Sequence, residues 1–341
     1  MRRATLITCL LWLLALTLGT WTLAQLPLDA IARSISSLTF FQWILWFGLN
    51  GLIVFLLTWR WHLLTQAFNT HTTFWPLLFI RQAGQAVSFI TPGPQFGGEP
   101  LQIYWLYKYG LALRKALLSL GLDRFFELWI NFSVLLFSVL ILLITNNSND
   151  NAIGNWQSTT IPLLIFLSLM LALAWILLAQ PHWLKQRLEC VAMRWKHNHR
   201  LNNIHEHWQQ LGNDLRLALQ TQKWRLLAAI LLSLLGWIGL LGELWMILNF
   251  VGIETTLHNF LLILVAMRMA LLLPMPGGVG TLEASVLWSF HTLNLPASAA
   301  MGLIALMRLR DGTVLLLGLG CLVATKIVCD KQPNRSHFPR A

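Results

Sequence analysis

Apolar stretches about as long as a bilayer is thick, each ended by a short polar segment, dominate the pattern along this chain. A helix needs roughly 20 mostly apolar residues to cross hydrocarbon. Stretches of that kind predict full spans near 5–25, 41–61, 116–144, 161–180, 225–250 and 298–327. Two further apolar segments, 74–109 and 259–293, are broken in the middle by Pro and Gly. Each predicts a re-entrant helical hairpin that enters and leaves on one side. The fold expected is all-α: a polytopic membrane helix bundle, one domain over residues 1–341, with about six full spans and the two broken hairpins. The first segment, MRRATLITCLLWLLALTLGTWTLAQ, has the form of a signal peptide, with Arg2, Arg3, an apolar run and Ala24. It is read here as an uncleaved first span.

Composition agrees with that reading. Of 341 residues, 56% are hydrophobic and 11% charged, against about 25% charged in an average globular domain. A soluble fold so poor in charge could not cover its surface. Many of the 18 Trp sit near run ends, as at Trp12, Trp21, Trp43, Trp59, Trp61, Trp75, Trp183 and Trp224, where an indole keeps its ring dry and its N–H wet; others are expected in the bundle core. Cys9, Cys190, Cys321 and Cys329 lack metal-type spacing.

Charge distribution sets an orientation. With the N-terminus cytoplasmic, the inner segments hold 18 Lys/Arg and the outer ones only Arg33. The positive-inside rule then places both termini in the cytoplasm. The net charge of +11 is spread over these short segments, which points to an anionic lipid surface rather than nucleic acid. Residues 181–224 form the main inner loop, with apolar and basic positions at helical spacing, so an interfacial amphipathic helix is expected there. His197, His199, His205 and His207 in it lack a carboxylate or Cys framework, and no metal site is expected. The tail 328–341 is cytoplasmic.

The most informative feature is a duplication at an offset of 184 residues. TPGPQFGGEPLQIYWL and MPGGVGTLEASVLWSF align Pro92-Gly93 with Pro276-Gly277 and Glu99 with Glu283. In the same register Arg124 aligns with Arg308, and Glu127 with Asp311. The repeats cover 41–144 and 225–327, and the topology makes them inverted: the first hairpin enters from the cytoplasm, the second from outside. Transporter folds place substrate sites at such junctions.

Pro interrupts a helix, and Gly permits positive φ and close approach. A helix restarting after the break aims unpaired N–H groups and a positive dipole end at the gap, an arrangement that binds anions. Broken backbone in a bilayer must be lined by protein or water. The expected substrate-binding set is Pro92, Gly93, Gly97, Gly98, Glu99, Arg124, Glu127, Pro276, Gly277, Gly278, Gly280, Glu283, Arg308 and Asp311, with Arg81, Arg268 and Arg310 as additional members. Arg124–Glu127 and Arg308–Asp311 are i,i+3 pairs on one helix face. Each buried charge costs at least roughly 2.5 kcal/mol on insertion scales. Two roles stay open for these residues: ion pairs that lock the halves together, or a cradle for an anionic head group.

The motifs PGPQFGGEPLQIYWL and LPMPGGVGTLEASVLW resemble the membrane region of lysylphosphatidylglycerol synthases, shared by stand-alone flippase-like membrane proteins. GLDRFFEL and MRLRDGTVLLLG resemble that family's Arg-bearing spans, and the likeness covers roughly residues 5–330. Pro94-Gln95-Phe96 departs from it, since a more Gly-rich loop is usual there. The resemblance implies a lipid translocase of a bacterial-type inner (plasma) membrane, moving a polar or anionic-headed lipid between leaflets. In bifunctional members an aminoacyl-transferase domain follows. Here KQPNRSHFPRA follows the last span, and no synthase activity is expected.

Membrane lipids are the expected partners. No cofactor, catalytic residue or nucleic-acid partner is expected. The sequence lacks G-x4-G-K-[ST], so ATP is not the direct driver. Proton coupling through Glu99 or Glu283 stays open. So do two other readings: a secondary transporter of a small organic anion, and a lipid-modifying membrane enzyme. His291 is the His nearest the Pro-Gly loops, with no nucleophile–base partner in sight.

Overall fold

The computed structural model describes residues 38–70, 72–91, 97–145, 156–179, 212, 215–218, 220–254, 256–273 and 275–330. Regular structure among them is entirely helical. The elements are α1 (Phe40–Ala67), α2 (Phe74–Ile90), α3 (Glu99–Lys108), α4 (Leu113–Thr145), α5 (Trp156–Ala179), α6 (Lys223–Phe250), α7 (Leu257–Ala270), a 3-10 turn (Pro276–Gly278), α8 (Thr281–Thr292) and α9 (Ala297–Asp330). The expected first span, the His-bearing stretch of the inner loop and the tail beyond Asp330 lie outside the described residues.

Among the described residues, α1, α4 and α6 are long and apolar enough to cross a membrane, with mean hydropathy of 1.9, 2.4 and 2.0. Helix α9 has 34 residues, about 51 Å at 1.5 Å per residue. It carries Arg308, Arg310 and Asp311 along its length, and that charge lowers its hydropathy. Large apolar side chains stand exposed along the long helices, including Phe40, Phe41, Phe137, Leu316 and Leu317, a surface suited to hydrocarbon rather than water.

Chain contacts divide the protein into two units. The first comprises Met1–Thr58, Thr73–Leu111 and Gly236–Ala341. Its helices approach through glycine. A Cβ on Gly318 of α9 would lie 2.5 Å from the Gln82 carbonyl oxygen of α2 and 2.6 Å from Ala86 Cβ, so α2 and α9 pack nearly backbone to backbone. Small residues allow this closeness between apolar helices. The start of α3 meets α2 in the same manner. A Cβ on Gly98 would collide with the Gly84 carbonyl oxygen, and the Gln102 side chain lies over Gly84 one turn further on. On α6, Gly236 and Gly239 face Leu57 and Ile53 of α1.

The second unit comprises Trp59–Thr72 and Ala112–Leu235. Its core is built from Leu64, Phe68, Leu122, Phe126, Ala218, Leu226 and Ala229. The sequence pattern ends this span near residue 61, at Arg60; the helix is longer. Helix α1 runs on to Ala67, and Arg60 is fully buried against Asp123 of α4 at 2.7 Å. A buried guanidinium is tolerated because an equally buried carboxylate meets it.

Candidate functional site

The first unit contains two helix breaks, at the two Pro-Gly positions. After α2, Thr91 closes the helix with its N–H on the Val87 carbonyl. The chain restarts at Gly98, whose N–H donates to Ser88 Oγ at 2.8 Å. Glu99 and Pro100 occupy the first turn of α3, where the missing Pro N–H costs nothing and a carboxylate suits the helix dipole.

The second break follows α7. Gly277, Gly278 and Gly280 take φ of 56, 62 and 83°, the left-handed region that favours glycine. The chain thereby folds through the Pro276–Gly278 turn and enters α8 at Gly280. Glu283 caps that start: its Oε2 accepts the Gly280 N–H at 2.7 Å.

The last turn of α2 packs on the second break. Phe89, in the last turn of α2, lies so close to Gly277 that a Cβ there would stand 2.8 Å from the ring. Arg308 of α9 reaches into the second break. Its Nη1 donates to the Gly277 carbonyl at 2.9 Å and its Nη2 to the Gly278 carbonyl at 3.1 Å. Its Nε and Nη2 hold Glu283 Oε1 at 2.7 and 2.6 Å, and Nη1 also meets Asp311 Oδ2 at 3.2 Å. All three nitrogens of the guanidinium thus donate, in four hydrogen bonds, and Nη2 adds the close ion-pair contact with Glu283. Arg308 is 4% exposed.

From Arg308 the charges continue onto α6 and α1. Arg310 donates to Asp311 Oδ1 and, through Nη1, to Glu243 Oε2 of α6 at 2.9 Å. Asn50 Nδ2 of α1 reaches Glu243 Oε1 at 3.1 Å. Two guanidiniums thus face three carboxylates, so the network carries one more negative than positive charge. Both arginines are matched by acids within their own unit.

In the second unit, Arg124 Nη1 binds Glu127 Oε2 at 2.9 Å. Arg60 adds Asp123, Ser233 Oγ at 3.3 Å and Glu127 at 3.5 Å. These two arginines and two acids balance.

Of the residues expected at the site, Pro92 and Gly93 lie outside the described residues. Gly97, Gly98, Glu99, Pro276, Gly277, Gly278, Gly280, Glu283, Arg308 and Asp311 belong to the first unit, as do Arg81, Arg268 and Arg310. Arg124 and Glu127 belong to the second. Arg81 is buried in α2. Arg268 lays its guanidinium 4.5 Å from the Trp237 ring centroid, a cation–π contact. Sequence reasoning missed Glu243, Asn50, Asp123 and the buried role of Arg60. The signal for Glu243 and Asp123 was present, since an ionisable residue inside an apolar run is a functional or paired residue by default.

The two halves differ at their restarts. Gln102 N–H bonds the Gly98 carbonyl, and Ala284 N–H the Gly280 carbonyl. The caps therefore stand 182 residues apart, against 184 for the aligned motifs. Glu99 is the first helical residue of α3, whereas Glu283 is the third of α8.

Comparison with known proteins agrees with this picture. The family model described as the lysylphosphatidylglycerol synthase TM region matches residues 4–318. A UPF0104 membrane protein of Methanocaldococcus jannaschii is 24% identical over 325 residues, covering 92% of this chain and 93% of its own. No solved structure matches the chain. The family match spans nearly the full length, and the chain belongs to the lysylphosphatidylglycerol synthase transmembrane-region family.

Proposed function

We propose that this protein is a flippase-like transporter that moves a polar or anionic-headed lipid between the leaflets of a bacterial-type inner membrane, without catalysing a chemical reaction. The reading is supported most by one observation: the end of α2, at Phe89, packs on the broken turn at Gly277, beside a buried charge network. Dragging a head group through hydrocarbon is opposed by its desolvation. A protein-lined polar spot between apolar helices lowers that barrier. Family membership supports a role at the membrane.

In this proposal the chain has six full spans, both termini are cytoplasmic, and 74–109 and 259–293 are re-entrant hairpins of an inverted repeat. The repeat is approximate, given the different caps. The same cluster would also recognise a small organic anion without acyl chains, so a soluble-anion transporter is the alternative.

Reconstituted protein in liposomes with head-group-labelled lipids tests the proposal, with a soluble organic anion as a parallel cargo. Wild type moves lipid, and Arg308→Ala, Arg124→Ala and Glu99→Gln each slow it by about tenfold or more, the effect of roughly 1.4 kcal/mol on a barrier. Well-folded wild type that moves no lipid of any class would defeat the reading. Movement of the soluble anion alone would favour the alternative.

A further inference from the structure

Building on that transport reading, we infer that an anion enters this site together with a proton, which Glu283 takes up as the anion replaces it on Arg308. Arg308 already spends four hydrogen bonds on Glu283, Asp311 and the two glycine carbonyls, and a further close Nη2 contact on Glu283. An incoming anion must therefore displace one of them. The Gly277 and Gly278 carbonyls belong to the turn itself and have no other seat. Asp311 also receives two N–H groups from Arg310, so its departure would cost a second guanidinium two hydrogen bonds as well. Among the described residues Glu283 is held by Arg308 and by the Gly280 N–H alone. Its side chain is also the more open, 23% exposed against 14% for Asp311. Glu283 is the ligand that leaves.

Its place suits a phosphate diester or a carboxylate. The vacated seat offers Arg308 Nε and Nη2, the Gly280 N–H and the first turn of α8, a donor set that binds anions at helix starts.

Charge then demands the proton. Arg308 and Arg310 face Glu283, Asp311 and Glu243, leaving one surplus negative charge before any ligand arrives. A second surplus charge in a poorly solvated site is strongly unfavourable, and a buried carboxylate without a partner neutralises instead. Protonating the displaced Glu283 keeps the balance unchanged. Arg308 and the Gly280 N–H hold it directly; Asp311, Arg310 and Glu243, with Asn50, are joined to it through Arg308; α7, packed against α8, carries His258 and Arg268. Among these, Asp311 and Glu243 keep their arginine partners when the anion binds. Glu283 alone loses its partner.

Purified protein in weakly buffered detergent with a pH-indicator dye tests this. Dihexanoyl-phosphatidylglycerol is titrated in one arm, and glycerophosphoglycerol, the same head group without acyl chains, in the other. Wild type takes up close to one proton per anion bound, and Kd rises with pH, about tenfold per pH unit wherever one proton is taken up, as one-proton linkage requires. Glu283→Gln binds the probe with no proton uptake and a flat pH profile. Wild type that binds either probe without proton uptake overturns the inference and leaves the transport reading standing. One proton per anion retained in Glu283→Gln overturns the assignment to Glu283. Failure of wild type to bind either probe overturns both readings. Linked binding of glycerophosphoglycerol alone keeps the coupling and removes the lipid. If Glu283→Gln does not fold, the wild-type stoichiometry decides.

Discussion

Glu283 Oε1 sits between Nε and Nη2 of Arg308, 2.7 and 2.6 Å away, joining α8 to α9 across 25 residues of sequence. The same guanidinium fastens both glycine carbonyls of the turn. Arg308→Ala would leave a carboxylate and two buried carbonyls without their donor, at a cost of about 3–5 kcal/mol. Arg308→Lys keeps the charge but not the fork, and falls between. Thermal unfolding in detergent should rank wild type above Arg308→Lys, and that above Arg308→Ala.

Much of this was legible beforehand. Apolar runs located the long helices, and Pro-Gly located the breaks. The Arg308–Asp311 and Arg124–Glu127 pairs form as their i,i+3 spacing implied. What stayed hidden was tertiary. Glu243 is one acid in the run GWIGLLGELWMILNF, and nothing local names Arg310, 67 residues away, as its partner. Arg60 read as a topology marker because its partner Asp123 lies 63 residues on. The cap at Gly280 escaped too, because counting residues from Pro-Gly does not reveal which glycine takes positive φ.

Arg310 and Glu243 should respond unequally. Arg310→Ala deepens the surplus negative charge and strands Glu243, which is 2% exposed, for a loss of about 3–5 kcal/mol. Glu243→Gln removes the surplus and still offers an oxygen to Arg310, so it should stay within about 1 kcal/mol of wild type. Equal losses in the two variants would contradict the charge count.

Arg60 and Asp123 are each 0% exposed. Breaking the pair from either side, by Arg60→Met or Asp123→Leu, should cost about 3–5 kcal/mol. The double replacement should recover most of that, because it strands no charge. A double-mutant cycle by thermal unfolding reads the coupling.

Two glycines on α9 should give opposite signs. Gly318→Ala puts a Cβ 2.5 Å from the Gln82 carbonyl oxygen and should lose about 1–3 kcal/mol through overpacking against α2. A methyl group on Gly320 would meet nothing within 4 Å, and Gly320→Ala should gain about 0.5–1 kcal/mol from helix propensity. Gly98→Ala, aimed at the Gly84 carbonyl, should behave like Gly318→Ala. Melting temperatures of the three variants in one detergent check the signs.

Transport as proposed requires two kinked hairpins to reach one polar spot from opposite compartments. Single cysteines at Gln95 and Val279, in a background with the four native cysteines replaced, report this directly through a membrane-impermeant thiol reagent. The expected result is labelling of position 95 from the cytoplasmic side only and of position 279 from the outer side only. Labelling of both positions from the same side would contradict the inverted arrangement and, with it, the proposed path for a head group.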